Sequence, residues 1–254
     1  MRRPSAAGLL LAMSIAALIP APGFGGAKED MIEANKLYEQ SKFSEAAAKY
    51  KELAAESPPD PVAHFNLGNA YFRLTGPGDL ARAIASYQRA FNLSPRDADI
   101  RHNIDFALRR SGESLVPTGI PPAAFILFHI FSRTELSALH WLGFWAFLLL
   151  ASAALWREKW RAPLKPWIFW AGLFWAAAGG WWGLLALSDV QNPAVVSAAE
   201  AEVRSGPGFN FPVSFKSPEG RRVSVLDERE GWVEIGVLKE GLKGWLPAGQ
   251  IERI

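Results

Sequence analysis

Two apolar stretches of 21 residues each, Leu136–Trp156 and Trp167–Leu187, constrain this chain more than any other feature. Together they contain one ionisable side chain, His140. As α-helices they would each be roughly 31 Å long, which is about the thickness of the hydrocarbon core of a bilayer. We therefore predict a transmembrane hairpin, with its helices at residues 136–156 and 167–187.

Charged residues around this hairpin predict its orientation. The connecting segment 157–166 has four basic residues and one acidic residue, which indicates a cytoplasmic loop. At the N-terminus, Arg2 and Arg3 precede an apolar run and then small residues up to Ala27, the order typical of a secretory signal peptide. We predict a signal peptide over residues 1–27, with an uncleaved anchor as the alternative. Either way, residues 28–135 and 188–254 lie on the side opposite the cytoplasm.

Residues 28–112 contain an internal repeat of two helices. Ala34 recurs as Gly68 after 34 residues, whereas Tyr50 recurs as Tyr87 after 37. The three additional residues are expected in the turn 75–79, where an insertion leaves both helical faces in register. A further helix, 97–110, with Ile100, Ile104 and Leu108 on one face, is predicted to cap the open end of the stack. The pattern resembles the tetratricopeptide repeat, and a generic pair of helical hairpins is the alternative.

The resemblance implies that the concave face of the repeats binds a peptide or a partner protein. Phe65 lies on this face too but is expected to pack between repeats. Met31 and Asp99 stand where the carboxylate-clamp variant of the family has basic residues, so capture of a C-terminal carboxylate is not expected. The predicted protein-binding residues are Met31, Asn35, Tyr38, Asn69, Phe72 and His102.

Residues 188–254 change in character. Val223 and Val225, and later Val233, Ile235 and Val237, alternate with other residues as in half-buried strands, and glycine-bearing turns separate the runs. This predicts a small closed all-β barrel. The segment resembles the bacterial SH3-like domain, many members of which bind peptidoglycan stem peptides or proteins. Candidates for its groove are Arg204, Trp232 and Trp245, the last of which is also expected to cover the barrel core.

Two further segments bear on the membrane part. Within the linker 113–135, the apolar run Ala123–Phe131 is too short to span a bilayer and is predicted to lie at its surface. The second predicted span contains small residues that would allow close contact, most simply with the first span. These residues are Gly172, Ala176, Gly179, Gly180 and Gly183.

Catalysis is not expected. The net charge of +2 gives no reason to expect nucleic-acid binding, and the absence of cysteine excludes thiol chemistry and cysteine metal sites. The four histidines show no metal-ligand spacing, and neither a phosphate-binding glycine loop nor a nucleophile elbow is present. We predict no catalytic residue, no metal and no cofactor.

The predicted fold class is a multidomain membrane protein with all-α tetratricopeptide repeats, a two-helix hairpin and an all-β SH3-like barrel. This order resembles the BatE type of the bacterial aerotolerance (Bat) proteins, including the Glu135-Leu136-Ser137 start of the first span and the Val195–Gly206 start of the barrel. The resemblance implies an inner-membrane scaffold with both soluble modules in the periplasm. Its implied partners are other Bat proteins, including von Willebrand A-domain proteins, and a cytoplasmic MoxR-type ATPase. A cell-wall sensor or tether that binds peptidoglycan and a transporter accessory subunit remain as alternatives.

Overall fold

The computed structural model describes residues 24–188, 192–237 and 240–254. Residues 1–23 of the predicted signal peptide lie outside this part of the chain, so that prediction stays open. In the described part, helices precede strands. The helices are α1 (Phe24–Glu39), α2 (Phe43–Ala54), α3 (Pro61–Leu74), α4 (Asp79–Leu93), α5 (Ala98–Arg110), α6 (Pro122–Phe128), α7 (Arg133–Trp156) and α8 (Glu158–Ser188). The strands are β1 (Pro193–Val196), β2 (Glu200–Arg204), β3 (Val213–Pro218), β4 (Arg222–Arg229), β5 (Trp232–Val237), β6 (Leu242–Pro247) and β7 (Ile251–Arg253).

Helices α1–α4 form two antiparallel pairs, and α5 follows them as the predicted capping helix. Asp60 caps α3 by accepting a hydrogen bond from the Val62 N–H, and Asp97 caps α5 in the same way from Asp99 and Ile100. Helix α3 ends at Thr75 in the left-handed conformation, and α4 begins at Asp79. The predicted turn is therefore present at residues 75–78, and Asp79 already belongs to α4.

Small residues set the distance between the helices of each pair. A Cβ atom at Gly68 would lie 2.6 Å from the Tyr87 ring, so only glycine allows α3 to approach α4 this closely. Ala34, Ala46 and Ala83 are fully buried at the other crossings. Local helix pairs of this kind bury one shared apolar layer per repeat, which is how such arrays are stabilised.

Helices α7 and α8 form an apolar hairpin whose residues largely face outward. Both are long and apolar enough to cross a membrane, and only 11% of the most apolar window of each is buried. Helix α7 starts with a capping box in which Ser132 and Glu135 exchange side-chain and backbone hydrogen bonds. Exposed tryptophans and leucines on both helices would be costly in water, so their arrangement favours a lipid environment.

The structure corrects the prediction of a loop at residues 157–166. Only Arg157 interrupts the helices, because α8 already begins at Glu158 and runs for 31 residues. Most residues of this segment are good helix formers, which favours the continuation of the helix. Pro163 and Pro166 are the sixth and ninth residues of α8, and each removes one backbone N–H donor from the helix. The first helix likewise begins at Arg133, three residues before the predicted span.

The small residues of α8 do not form one packing face as predicted. Gly172 and Gly179 do face α7, since added Cβ atoms would lie 3.3 Å from Phe147 and 2.5 Å from His140. In contrast, Ala176 is exposed, and Gly180 and Gly183 have open space around them. The reason is the helical period: spacings of three and four must alternate to stay on one face, and a strict spacing of four drifts away from it.

The C-terminal part is one antiparallel sheet with the strand order β3-β2-β6-β5-β4-β1-β7. The predicted alternation is confirmed, because Val223, Val225, Val233, Ile235 and Val237 are all buried in a single apolar core. Register shifts at Val203/Arg204 and at Val225/Asp227 mark bulges. Such bulges increase local twist and help one sheet to wrap around its own core.

Strand β1 joins the barrel to the repeats because both of its faces are buried. Ala194 and Val196 belong to the barrel core, whereas Val195 between them packs into the helical core with Ile84 and Leu108. Alternation along a strand explains how one short segment serves two cores. The barrel therefore sits directly on the repeats, although the sequence gives no reason to expect this contact.

Polar contacts complete this junction. Glu113, which follows the capping helix, accepts hydrogen bonds from the backbone N–H of Arg222 at 3.0 Å and from its Nε at 2.8 Å. Arg222 also donates to the carbonyl of Ser114, and Glu219 accepts from the Leu80 N–H at the start of α4. The carboxylate of Glu219 thus satisfies one of the free amides of a helix N-terminus.

The predicted surface segment forms α6 and connects the repeats with the hairpin. Phe125 is buried and stacks against Phe91 of α4, with ring centroids 6.3 Å apart. At the other end, Trp181 of α8 donates a hydrogen bond to the carbonyl of Phe128. Leu127 remains 63% exposed, so part of this segment is still available to a bilayer surface.

Candidate protein-binding site

The concave face of the repeats is organised by an asparagine that accepts two hydrogen bonds. Asn35 Oδ1 accepts from the Tyr50 hydroxyl at 2.6 Å and from Asn66 Nδ2 at 3.4 Å. Tyr50 comes from the second helix of the same repeat, and Asn66 comes from the first helix of the next one. Asn66 Nδ2 also lies 3.9 Å from the sulfur of Met31. The network therefore ties three helices together at the floor of a hollow.

The same network recurs one repeat later. Asn69 Oδ1 accepts from the Tyr87 hydroxyl at 2.8 Å and from Asn103 Nδ2 at 2.9 Å. Asn69 follows Asn35 by 34 residues, whereas Asn103 follows Asn66 by 37, as Tyr87 follows Tyr50. The offsets equal those of the repeat itself, so the repetition extends to individual hydrogen bonds.

Each network uses some hydrogen-bonding atoms of its two asparagine side chains and leaves others unpaired among the described residues. Both Oδ1 atoms accept two hydrogen bonds, whereas the Nδ2 donors of Asn35 and Asn69 have no hydrogen-bond partner among the residues that the structure describes. The Oδ1 acceptors of Asn66 and Asn103 are unused in the same described part. Donors and acceptors in two successive layers match the N–H and C=O groups of an extended peptide.

Burial keeps the two tyrosines in the protonated form that these networks need. Loss of hydration raises the pKa of Tyr50 to about 12. It also raises the pKa of Tyr87, and the hydrogen bond that involves Asn103 opposes this rise. Both hydroxyls therefore remain donors at neutral pH, which holds the oxygen atoms of Asn35 and Asn69 toward them.

An aromatic surface continues the hollow toward the capping helix. Phe72 and Phe106 lie with ring centroids 5.6 Å apart, and His102 stacks on Phe106. The guanidinium of Arg110 lies 4.6 Å from the Phe72 ring centroid, and Phe106 is 51% exposed. Arg73, Tyr38 and Asn103 complete this second hollow.

The structure brings together most of the residues predicted for this face. Asn35, Tyr38 and Asn69 line the first hollow, and Tyr38, Asn69, Phe72 and His102 line the second. Met31 lies at the edge of the first network, and Phe65 packs into the helical core as expected. The sequence interpretation missed Asn66 and Asn103 as network members, and Arg73, Phe106 and Arg110 at the aromatic end. The repeat offset of 37 would have related Asn103 to Asn66.

The groove residues predicted for the barrel occupy one region but differ in accessibility. Phe209 is 77% exposed and meets Trp232 edge to face, with ring centroids 4.9 Å apart. Arg204 donates to the carbonyls of Phe209 and Phe211 and so holds this loop in place. Trp245 is 7% exposed, with the Arg229 guanidinium 5.5 Å from its ring centroid, and therefore supports the surface from below.

Comparison with known proteins identifies both soluble modules. Residues 33–98 match the tetratricopeptide repeat, and residues 199–252 match the bacterial SH3 domain. A 60-residue segment is 37% identical to the putative N-acetylmuramoyl-L-alanine amidase YrvJ of Bacillus subtilis (strain 168). That segment is 24% of this chain and 11% of the relative, and what the two share is the SH3 domain.

Proposed function

We propose that this protein is a non-catalytic membrane scaffold whose repeats bind an extended segment of a partner protein. The observation that supports this most is the repeated asparagine–tyrosine network with its unused amide donors and acceptors. A peptide backbone passing along the concave face would complete both layers. The aromatic end, with Arg73 and Arg110, would then receive an apolar side chain flanked by a carboxylate.

Asparagine-to-aspartate substitution tests the free donors without removing the internal network. In Asn35→Asp/Asn69→Asp, one oxygen can still accept from each tyrosine, but the free N–H₂ donor becomes a carboxylate oxygen. Peptides selected by display against the full chain in detergent should lose about 10- to 100-fold in affinity, at ~1 kcal/mol for each lost hydrogen bond. Fluorescence anisotropy with a labelled peptide measures this change.

A matched control separates the effect of charge from the effect of the site. Asn92→Asp alters an exposed asparagine on α4 that contacts only Gln88 among described residues, and it should leave affinity unchanged. Equal binding by the wild type and the double variant would contradict the proposal. Equal loss in the Asn92 variant would show that added negative charge alone weakens binding.

We further propose that the hairpin crosses the inner membrane and holds both modules in the periplasm within a Bat-type assembly. Confinement of two weak binding modules to one layer raises their effective concentration toward the same partner. Affinity purification from solubilised membranes should then recover von Willebrand A-domain proteins of the Bat group, with a MoxR-type ATPase associated from the cytoplasm. Alkaline phosphatase fused after residue 254 should be active, and an inactive fusion would contradict this orientation.

A second function, peptidoglycan binding by the barrel, is favoured by the SH3 domain shared with a putative amidase and by the exposed Phe209–Trp232 pair. Purified sacculi should sediment the full chain, and Phe209→Ala/Trp232→Ala should reduce the sedimented fraction several-fold. Leu226→Ala, which removes another exposed apolar side chain of the barrel, serves as the control. Failure of the wild-type chain to sediment would exclude this function.

A further inference from the structure

The closed end of the apolar hairpin presents a basic surface that none of the functions above uses. We propose that Arg157, Arg161 and Lys165 bind the phosphate groups of anionic phospholipids at the membrane surface. The three residues will be called the basic face. Lipid binding by the basic face requires that the hairpin crosses a bilayer, but it does not depend on what the repeats or the barrel bind.

The length of α8 places this face at the level of the lipid headgroups. With 31 residues the helix is about 46 Å long, whereas the hydrocarbon core is about 30 Å thick. Roughly ten residues of α8 must therefore lie outside the hydrocarbon. The charged residues are all at its N-terminal end, so this end is the part in the headgroup layer.

Helix α8 puts Arg161 and Lys165 on one side, and Arg157 precedes the helix in an extended conformation. At about 100° per residue, Lys165 lies about 40° around the helix axis from Arg161. Lys159 lies about 160° around the axis from Arg161 and therefore points to the opposite side. A flexible loop at 157–166 would have produced no such face, so this arrangement follows from the corrected secondary structure.

The protein itself provides little negative charge to neutralise this face. Glu158 is the one acidic residue of the segment, and its contact with Arg161 is long, at 3.9 Å, between exposed side chains. Arg161 Nε also donates to the carbonyl of Ala154 at the end of α7. Arg157 and Lys165 have no carboxylate within 4.0 Å in the part of the chain that the structure describes.

Neighbouring tryptophans favour a lipid over a soluble anion. Trp156, Trp160 and Trp167, which lie within or beside the same segment, are 86%, 41% and 65% exposed, and the Arg157 guanidinium lies 5.3 Å from the Trp160 ring centroid. Indole rings prefer the boundary between hydrocarbon and water. A ligand with an acyl chain beside these rings and a phosphate beside the basic face satisfies both groups at once, which inorganic phosphate does not.

Native mass spectrometry of the full chain in detergent with equal amounts of phosphatidylglycerol and phosphatidylcholine tests the proposal. The wild type should retain phosphatidylglycerol preferentially. Lys165→Gln should lower that preference about fivefold, and Arg161→Gln by a similar factor, since a basic residue near an anionic lipid surface contributes ~1 kcal/mol. Lys159→Gln is the matched control, because it removes the same charge from the opposite side of the same helix.

Each result has a defined meaning. A loss in the Lys165 and Arg161 variants but not in the Lys159 variant supports the basic face. Equal loss in all three variants, or no lipid preference in the wild type, overturns it. Competition by excess inorganic phosphate would show a general anion site and would also overturn the lipid assignment. Peptide binding by the repeats should be unchanged in every variant, so this test and that of the proposed function fail independently.

Discussion

Removal of the Glu113 carboxylate should loosen the barrel from the repeats. Glu113→Ala deletes two hydrogen bonds to Arg222, of 3.0 Å and 2.8 Å, and leaves a guanidinium that is 28% exposed without its carboxylate. Charge-assisted hydrogen bonds contribute about 1.5–3 kcal/mol each. Because both side chains retain some contact with water, we expect a total loss of about 2–3 kcal/mol rather than the full sum.

Hydrogen exchange of the full chain in detergent measures this loss locally. The amide of Leu80 is a suitable reporter, since it donates to Glu219 across the same junction but not to Glu113. A loss of 2–3 kcal/mol corresponds to an opening constant that is about 30- to 150-fold larger. Exchange of amides within the repeats and within the barrel should change much less, because each has its own core.

A double-mutant cycle distinguishes this contact from general destabilisation. Glu113→Ala/Arg222→Ala should be less damaging than the sum of the single changes, by about 1–3 kcal/mol. Arg221→Ala is the control, because Arg221 pairs with Glu240 of the barrel and not with the repeats. Additive single effects, or equally fast Leu80 exchange in the Arg221 variant, would refute the assignment of this junction to Glu113 and Arg222.

Three further predictions concern the modules themselves. Gly68→Ala should destabilise the repeats by about 1–3 kcal/mol in thermal unfolding followed by circular dichroism, because its Cβ would lie 2.6 Å from the Tyr87 ring; unchanged stability would show that α3 and α4 separate freely. Burial lowers the pKa of His64, with a contribution from Arg89, so the unfolded chain binds the proton more readily. Stability should therefore fall as the pH drops below about 6.5, by at most ~1.4 kcal/mol per pH unit, and His64→Gln should remove this part of the slope in urea titrations at several pH values. Gly143→Ala should weaken the α7–α8 contact, since its Cβ would lie 3.0 Å from the Trp175 backbone, whereas Gly180→Ala meets open space. With one cysteine introduced into each helix, a similar loss of disulfide cross-linking in both variants would contradict this.

Periodic features of this chain could be predicted from sequence because they depend on local geometry. The 34- and 37-residue offsets gave the two helical pairs, and alternation at Val223–Val225 and Val233–Val237 gave two strands of the barrel. The capping helix was predicted correctly from the spacing of Ile100, Ile104 and Leu108, all of which are buried. In each case, the buried face follows from the number of residues per turn or per pleat.

The start of α8 was predicted wrongly, because the residues before the apolar stretch were assigned to a loop. Pro163 and Pro166, together with clustered charges, are typical of a loop, yet α8 contains both as its sixth and ninth residues. Where a long helix leaves the bilayer is decided by packing against α7 and by the surrounding solvent. Neither is encoded in the local pattern of residues 157–166.

The sequence by itself determined the modules, their order, the buried face of the strands and most residues of the concave face, because periodicity acts over one or two turns. Only the tertiary structure decided how Asn69 meets Asn103, how Glu113 holds Arg222 and how Val195 enters the helical core. These contacts join residues 34, 109 and about a hundred positions apart. Asn69 and Asn103 are one repeat period apart, but no periodicity relates Glu113 to Arg222 or Val195 to Ile84. The proximity of these last partners results from the packing of complete elements against one another.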